Sequence, residues 1–301
     1  MSYMPSKKYY MDAFRALSKD SRTASTFILA SYPLQIVIAV ALGSYFLHLD
    51  SNFSWIVAIL AALFIGTRFR GINNILHETS HLSFTADRGD NILFGRIAAA
   101  LLLKTYESYK VEHMSHHVHL GDYEHDLDFH KLQKFKLEDE LTPKTIARHV
   151  VTPLLGLHIT SYVGFDMSWK DGRVFGLLKI VLLLATTAYV LIDPVSALLL
   201  IVFPFVWVYS ALNYWTDCID HGGILESGHE LEQSRNVIVN PVLRFFLFPR
   251  NDCYHLIHHL FPGVPVNHFD RVHEELLQDP QYREAAGRQI ISSGHAAPSQ
   301  A

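Results

Sequence analysis

Four stretches of this 301-residue chain are apolar enough, over enough residues, to cross a lipid bilayer: roughly Phe27 to Leu47, Phe53 to Thr67, Val174 to Ile192 and Pro194 to Asn213. Hydrocarbon offers no water to satisfy the backbone, so each stretch must be helical, and an all-α integral membrane protein is the expected fold class. The second stretch is short against the ~20 residues a span needs. It is expected to continue past Arg68, with that side chain snorkelling to the headgroups. The first two spans meet in the short turn His48-Leu-Asp-Ser-Asn-Phe53 and the last two at Asp193-Pro194, so the reading is of two helical hairpins. Composition agrees: half the residues are apolar and 18% are charged, against about 25% in soluble domains. A net charge of -4 offers no basic surface and excludes nucleic acid as a partner.

Orientation follows from lysine and arginine. Residues 1–26, 68–173 and 214–301 hold 24 of the 25, and neither short turn holds any. The positive-inside rule makes their side cytoplasmic, with both termini there, in a bacterial inner membrane or alternatively the endoplasmic reticulum. The exception, Lys179, is expected to snorkel from its span. The chain then reads as a single domain, 1–301, whose four spans carry a cytoplasmic helical cap made of 68–173 and 214–301. Two weaker apolar runs, Asn91 to Leu103 and Val150 to Phe165, are expected to lie in the cytoplasmic interface. Trp207, Tyr209, Tyr214 and Trp215 near the end of the fourth span suit an interfacial aromatic belt. The first 26 residues lack the apolar core of a signal peptide, so no cleavage is expected, and the C-terminal Gly-His-Ala-Ala-Pro-Ser-Gln-Ala carries no lipidation or retrieval signal. Cys218 and Cys253 are expected to be structural thiols.

Nineteen histidines require an explanation. Three clusters stand out: His77-Glu-Thr-Ser-His81, His113-Met-Ser-His116-His117 and His255-Leu-Ile-His258-His259. At this histidine frequency an HxxxH spacing arises about once per chain by chance, whereas HxxHH is expected only about 0.07 times, so the paired HxxHH clusters carry the signal. On a helix, positions i, i+3 and i+4 share a face, and each cluster offers two or three imidazoles to one point. Imidazole suits iron, zinc, copper and nickel, and eight such ligands are too many for one ion, so a two-metal centre fits the count. Two crossings separate the second cluster from the third, which puts all three on one side of the membrane. His77-Glu78-Thr-Ser-His81 also has the spacing of a zinc protease with Glu78 as general base, but that reading leaves both HxxHH clusters unexplained. On the two-metal reading Glu78 is a carboxylate behind the ligands or a helix-surface group. Asp122, Asp126 and Asp128, after the second cluster, are expected to orient ligand histidines through their free ring nitrogens or to contact the substrate. His158, His229, His268, His273 and His295 are expected to be surface or structural residues, and Asn236 and Asn240 to have little part in substrate binding.

These clusters, their order, and the phrase Asn251-Asp-Cys-Tyr-His-Leu-Ile-His-His-Leu-Phe-Pro-Gly-Val-Pro265 resemble the membrane fatty acid desaturase and hydroxylase superfamily over residues 27 to 275. The resemblance implies a non-haem centre of two Fe(2+) ions per chain at the cytoplasmic membrane face, which activates O2 to remove hydrogen from an unactivated C–H bond. It also implies a ninth ligand, matched here by His221. In acyl-CoA desaturases an asparagine four residues before that histidine holds a metal-bound water. Asp217 stands at that position and puts a carboxylate at the second metal. The function implied is a desaturase that introduces a carbon–carbon double bond into an acyl chain. The alternatives on the same centre are a hydroxylase or ketolase, or a desaturase of a small specialised metabolite. A histidine-rich metal transporter or sensor would place polar ligands within the spans, which hold almost none. With no nucleotide-binding glycine fingerprint and no haem domain, electrons are expected from a ferredoxin, rubredoxin or cytochrome with its reductase.

Overall fold

The computed structural model describes residues 3–49 and 51–289; His295 and the C-terminal octapeptide lie outside them. The described residues are helical and connecting segments, with no named strand; Asp20 and Thr85 form one isolated bridge. The helices that position the site are α1 (Lys7–Phe14), α2 (Arg22–Leu47), α3 (Asn52–Ser80), α4 (Arg88–Leu101), α5 (Tyr106–His119), α6 (Pro143–Leu154), α7 (Ile159–Tyr162), α8 (Arg173–Ile192), α9 (Pro194–His221), α10 (Pro241–Leu247), α11 (His255–Leu260), α12 (Phe269–Leu276) and α13 (Pro280–Gln289). Four of them, α2, α3, α8 and α9, are long and apolar enough to cross a membrane. Their starts are capped as the sequence dictates: Ser21, Ser51 and Asp193 accept from the backbone N–H three residues on, and Pro194 occupies the first turn of α9, where its missing N–H costs nothing.

The spans at positions 53 and 194 do not end where hydropathy falls. α3 runs on to Ser80 and α9 to His221. α9 passes through π-helical segments at Leu198–Val202 and Pro204–Val208, on either side of the point where Pro204 cannot donate a hydrogen bond. The core between α2, α3, α4 and α9 is built from Leu29, Tyr32, Ile36, Ala62, Ile65, Phe69, Ile72, Phe94, Ala98 and Leu200. A second core, formed by α1, α11, α12 and α13 around Phe14, Leu256, Ile257, Phe269 and Tyr282, supports the third histidine cluster from behind.

Three expectations about polar and aromatic side chains are corrected. Arg68 does not snorkel. It is 1% exposed, donates to the carbonyl of Phe245 and to Gln35, and lies over the rings of Phe64 and Phe245. Lys179 is likewise 1% exposed and gives its ammonium protons to Thr105 Oγ1 and to the carbonyls of Asp166 and Ser168. Both find enough acceptors inside the protein to do without water. The aromatic group at the end of the fourth span also serves the interior: Trp207 donates to the Pro153 carbonyl at 2.9 Å, Trp215 to the His149 carbonyl at 3.1 Å and Tyr209 to Asn73 at 2.8 Å, while Tyr214 bonds His149 Nδ1 at 2.7 Å. α9 continues past this point, so these side chains meet α3 and α6 rather than a lipid surface.

The two weaker apolar runs differ from each other. α4 packs its Phe94, Ala98 and Ala99 into the core, whereas α6 leaves Ile146, Val150, Val151 and Leu154 exposed. His158 and His273 are buried and hydrogen-bonded, to Ser210 and Tyr282. Asn236 joins Tyr282 to the Ile257 backbone, Asn240 caps α10, and both cysteines are free and buried.

Close approach of α3 to α9 depends on Gly66, where a Cβ would stand 2.3 Å from Val208 Cγ1. Gly66→Leu is expected to cost about 1–3 kcal/mol by overpacking, seen as a lower thermal midpoint in detergent. An unchanged midpoint would show that the interface has room to spare.

Candidate metal centre

All nine histidines singled out in the sequence converge, and they sort into two groups. His77, His81, His113, His117 and His258 form one; His116, His221, His255 and His259 form the other. Within each group the candidate ligand atoms lie within 4.8 Å of one another. Eight of them arrive at four helix ends, where His77 and His81 close α3, His116 and His117 lie in the last turn of α5 after His113, His221 ends α9, and His258 and His259 close α11, while His255 opens α11. A helix C-terminus carries a partial negative charge and favours a cation, so four such ends aimed at one region prepare it for positive charge.

The donor set fits metal ions. Nε2 atoms face each other at 2.8 Å (His77, His258), 2.9 Å (His81, His113), 2.9 Å (His117, His258), 3.1 Å (His113, His117), 2.9 Å (His221, His255) and 3.0 Å (His255, His259). Two ligands at right angles around one ion, each about 2.1 Å from it, stand roughly 3.0 Å apart. On some rings the opposite nitrogen fixes the tautomer. His221 Nδ1 donates to the Gln233 carbonyl at 2.9 Å and His116 Nδ1 to Asp126 at 2.8 Å, while His113 and His255 Nδ1 lie 3.5 Å from Asp128 and Asp220. An imidazole that donates through Nδ1 presents a bare Nε2, as His221 does toward His255.

The electrostatics keep most of the rings neutral. Burial first, then the neighbouring imidazoles, push His81, His117, His255, His258 and His259 well below the usual histidine range. His113 is lowered by burial in spite of Asp128. His116 is the exception: burial opposes its protonation, but the hydrogen bond and charge of Asp126 outweigh that and raise it. Burial favours protonation of Asp128, yet contact with His113 and the charge of His116 hold the carboxyl down at about 2.

The expected carboxylates separate. Asp126 is fully buried against His116, and Asp128 stands beside His113. Asp122 is on an exposed turn, paired with His125 at 2.8 Å. Glu78 takes Arg250 in a two-pronged ion pair of 2.8 and 2.7 Å and bonds no histidine. Asp217 accepts from Tyr162 Oη at 2.5 Å on the wall of the cavity that also holds His116 and His221. Two further carboxylates escape a reading by clusters. Asp220, one residue before His221, contacts His255, and Asp252, three before His255, pairs with Arg70 of α3. Adjacency to the histidines was the only signal for either.

A chamber of about 110 Å³ reaches His77, His113, His116, His221 and His255. A second of about 300 Å³ lies outside it, and Lys104, Tyr109, Asp128, Tyr162 and Asp217 stand in the walls of both. Asp220 Oδ1 and Arg70 Nε are buried without hydrogen-bond partners among the described residues, and both residues line the inner chamber.

Comparison with known proteins gives a match to the fatty acid desaturase family over residues 53–289. The chain is similar to dihydrorhizobitoxine desaturase of Bradyrhizobium elkanii, 28% identical over 253 residues that make up 77% of this chain and 71% of that one. It is similar to the sn-2 acyl-lipid omega-3 desaturase (ferredoxin), chloroplastic, of Arabidopsis thaliana, 28% identical over 46% of this chain and 29% of the relative. It is also similar to the acyl-lipid omega-3 desaturase (cytochrome b5), endoplasmic reticulum, of the same plant, 25% identical over 79% of this chain and 68% of the relative.

Asp126 orients His116 through Nδ1, so Asp126→Ala is expected to weaken retention of a bound metal by roughly 10–100-fold. Asp126→Asn, which keeps an acceptor, should lose less. Competition with a chelator, followed by metal analysis, measures both; equal retention in wild type and the alanine variant would remove Asp126 from the centre.

Proposed function

The chain belongs to the fatty acid desaturase family, and from that premise we propose that it is a membrane-embedded, dioxygen-dependent di-iron desaturase that introduces a carbon–carbon double bond into its substrate. The observation that carries this is the five-plus-four gathering of nine imidazoles from four helices. His77, His81, His113, His117 and His258 hold one iron, and His116, His221, His255 and His259 hold the other. Iron in this site supplies activation of dioxygen for removal of hydrogen from an unactivated C–H bond.

The remaining work belongs to the protein's own residues. Asp126, Asp128, Asp220 and the Gln233 carbonyl select the imidazole tautomer, so that Nε2 faces inward on His116, His113, His255 and His221. Phe129 lies against His116 and His221, with ring centroids 4.4 and 5.3 Å away, and screens that side from water. Tyr162 holds the Asp217 carboxyl at the cavity wall by a hydrogen bond. Desaturation takes two protons and two electrons from the substrate and needs two more electrons and two more protons, and the four electrons and four protons reduce one O2 to two waters. The second pair comes from an external donor, a ferredoxin, rubredoxin or cytochrome with its reductase; the two plant relatives are named for ferredoxin and cytochrome b5.

The same reading places the four long helices in the bilayer as two hairpins, with 68–173 and 214–301 as a cytoplasmic cap and both termini on the cytoplasmic side of a bacterial inner membrane. α3 has 29 residues, about 43 Å of helix, against a hydrocarbon core of roughly 30 Å. The excess carries His77 clear of the lipid, and the extension of α9 does the same for His221.

Elemental analysis of protein purified in detergent is expected to find iron approaching two per chain. His116→Ala and His258→Ala should each lower it and abolish product formation; full turnover in either variant overturns the ligand assignment. Asp217→Asn is expected to change rate or product ratio in a chain that still folds and binds iron, and a variant indistinguishable from wild type would exclude the carboxylate from the reaction.

A further inference from the structure

The larger of the cavities that open onto the histidines is rich in polar groups. Its inner chamber is walled by Asn73, Asn74, Arg70, Lys104, Thr216 and Asn213 together with the site's own carboxylates, and its outer chamber by Thr105, Ser108 and Glu112 beside Leu132, Val163 and Phe165. An apolar cavity of about 490 Å³ does exist, bounded by Ile146, Val150, Leu212, Trp215, Leu247 and Phe248 between α6, α9 and α10. None of the nine histidines lines it. A long acyl chain in the polar cavity would gain little from burial, since each methylene contributes about 0.8 kcal/mol only where it leaves water for an apolar wall. It would also strip water from polar groups that it cannot satisfy.

Within that cavity the Lys104 ammonium is left without a salt bridge. The other cation of the inner wall, Arg70, is engaged by Asp252 and by Asn213. Lys104 forms no ion pair among the described residues. Its ammonium has one long hydrogen bond of 3.4 Å, to Asn73 Oδ1, which already accepts from Tyr209 at 2.8 Å. The ammonium lies 5.5 and 6.0 Å from the ring centroids of Tyr109 and Tyr209, and three donor positions on –NH3+ leave most of its capacity unused. Of the carboxylates sharing its cavity, Asp128 is taken by His113, Asp217 by Tyr162 and Asp166 by Ser108, and Glu112 forms no ion pair with it among the described residues. The backbone also aims this residue. α4 ends with Leu103 in the left-handed region at φ 54, where the Leu103 N–H reaches the Ala100 carbonyl and the Lys104 N–H the Ala99 carbonyl at 2.8 Å. Glycine is the usual residue at such a position. Here a leucine is held in the strained conformation, and Lys104 leaves the helix toward the cavity.

The geometry points to a small, water-soluble, carboxylate-bearing substrate, its carboxylate taken by Lys104 and its reacting carbons lying toward the histidines, in place of a membrane-lipid acyl chain. This inference rests on the desaturase reading of the centre. A carboxylate suits the site better than a phosphate, because Lys104 is the one cation lining both chambers and the guanidinium of Arg70 in the inner wall is already committed.

The test uses the full chain, iron-loaded, in nanodiscs of dioleoylphosphatidylcholine. Calorimetry compares 6-hydroxyhexanoate with 1,6-hexanediol, which has the same length and no charge. The carboxylate is expected to bind roughly ten-fold tighter or better, the scale of a charge-assisted hydrogen bond. Lys104→Met should erase that preference and Lys104→Arg should keep it within roughly three-fold, both with wild-type iron content as the check on folding. Equal binding of acid and diol, or an unchanged preference in Lys104→Met, overturns the inference. So does a new double bond in the oleoyl chains during turnover with reduced ferredoxin, a result that leaves the desaturase reading standing. Carboxylate-selective binding by a chain that takes up no iron overturns the desaturase reading and the substrate role with it, while the anion site itself remains.

Discussion

Two buried ion pairs of opposite sense fasten the third histidine cluster to the second long helix, and the rest of the centre depends on them. Arg70 of α3 pairs with Asp252, and two turns further along the same helix Glu78 takes Arg250. Between them Asn74 donates to the Pro249 carbonyl at 2.6 Å. The segment so gripped, 249–252, leads directly into α11, and its Arg250 and Asn251 both sit in the left-handed region, at φ 66 and φ 55. Such backbone persists only where its surroundings over-determine it. Removing one partner of a buried pair leaves the other charge uncompensated, at about 3–5 kcal/mol. The reciprocal arrangement therefore makes the distance between His77 and His258 a consequence of charge pairing and leaves little of it to loop chance.

With the third cluster so held, the electrostatics of the cavity follow. Nine imidazoles crowd together, most of them driven to the neutral form by burial and by one another, and they meet where four helices end. Each ring held through Nδ1 by a carboxylate or carbonyl turns a lone pair inward. The result is a region rich in lone pairs and helix C-terminal dipoles, ringed by Asp126, Asp128, Asp217 and Asp220. Such a region is unstable without positive charge and well suited to two divalent ions. Lys104 stands in the walls of both chambers without an ion pair among the described residues, free to receive the anionic end of a bound molecule.

Much of this was legible in the sequence because it is local. A span is a run of apolar residues, a helix cap is a serine or aspartate at one position, and HxxHH on a helix brings its rings to one face; each depends on neighbours within about a turn. The two HxxHH clusters and the HxxxH cluster could be recognised without knowing what they would meet. His221 lacked a cluster and rested on resemblance. Arg68 and Lys179 were misread for a physical reason: a charged residue in an apolar run is expected to reach outward unless acceptors lie inside, and those acceptors, the Phe245 carbonyl 177 residues away and the Asp166 and Ser168 carbonyls, are visible only in three dimensions. Trp207 and Trp215 were misread for the same reason.

By itself the sequence determined that the chain is helical, carries four membrane-length helices and concentrates imidazoles in three clusters. The tertiary structure decided how those imidazoles divide into five and four, which carboxylate stands behind which ring, and that Glu78 binds an arginine while Asp220 serves a histidine. It also decided that the larger cavity reaching them is rich in polar groups. Hydropathy and helical periodicity are properties of residues a few positions apart. Partnering across 172 residues, as between Glu78 and Arg250, depends on how whole helices pack, and no local pattern encodes it.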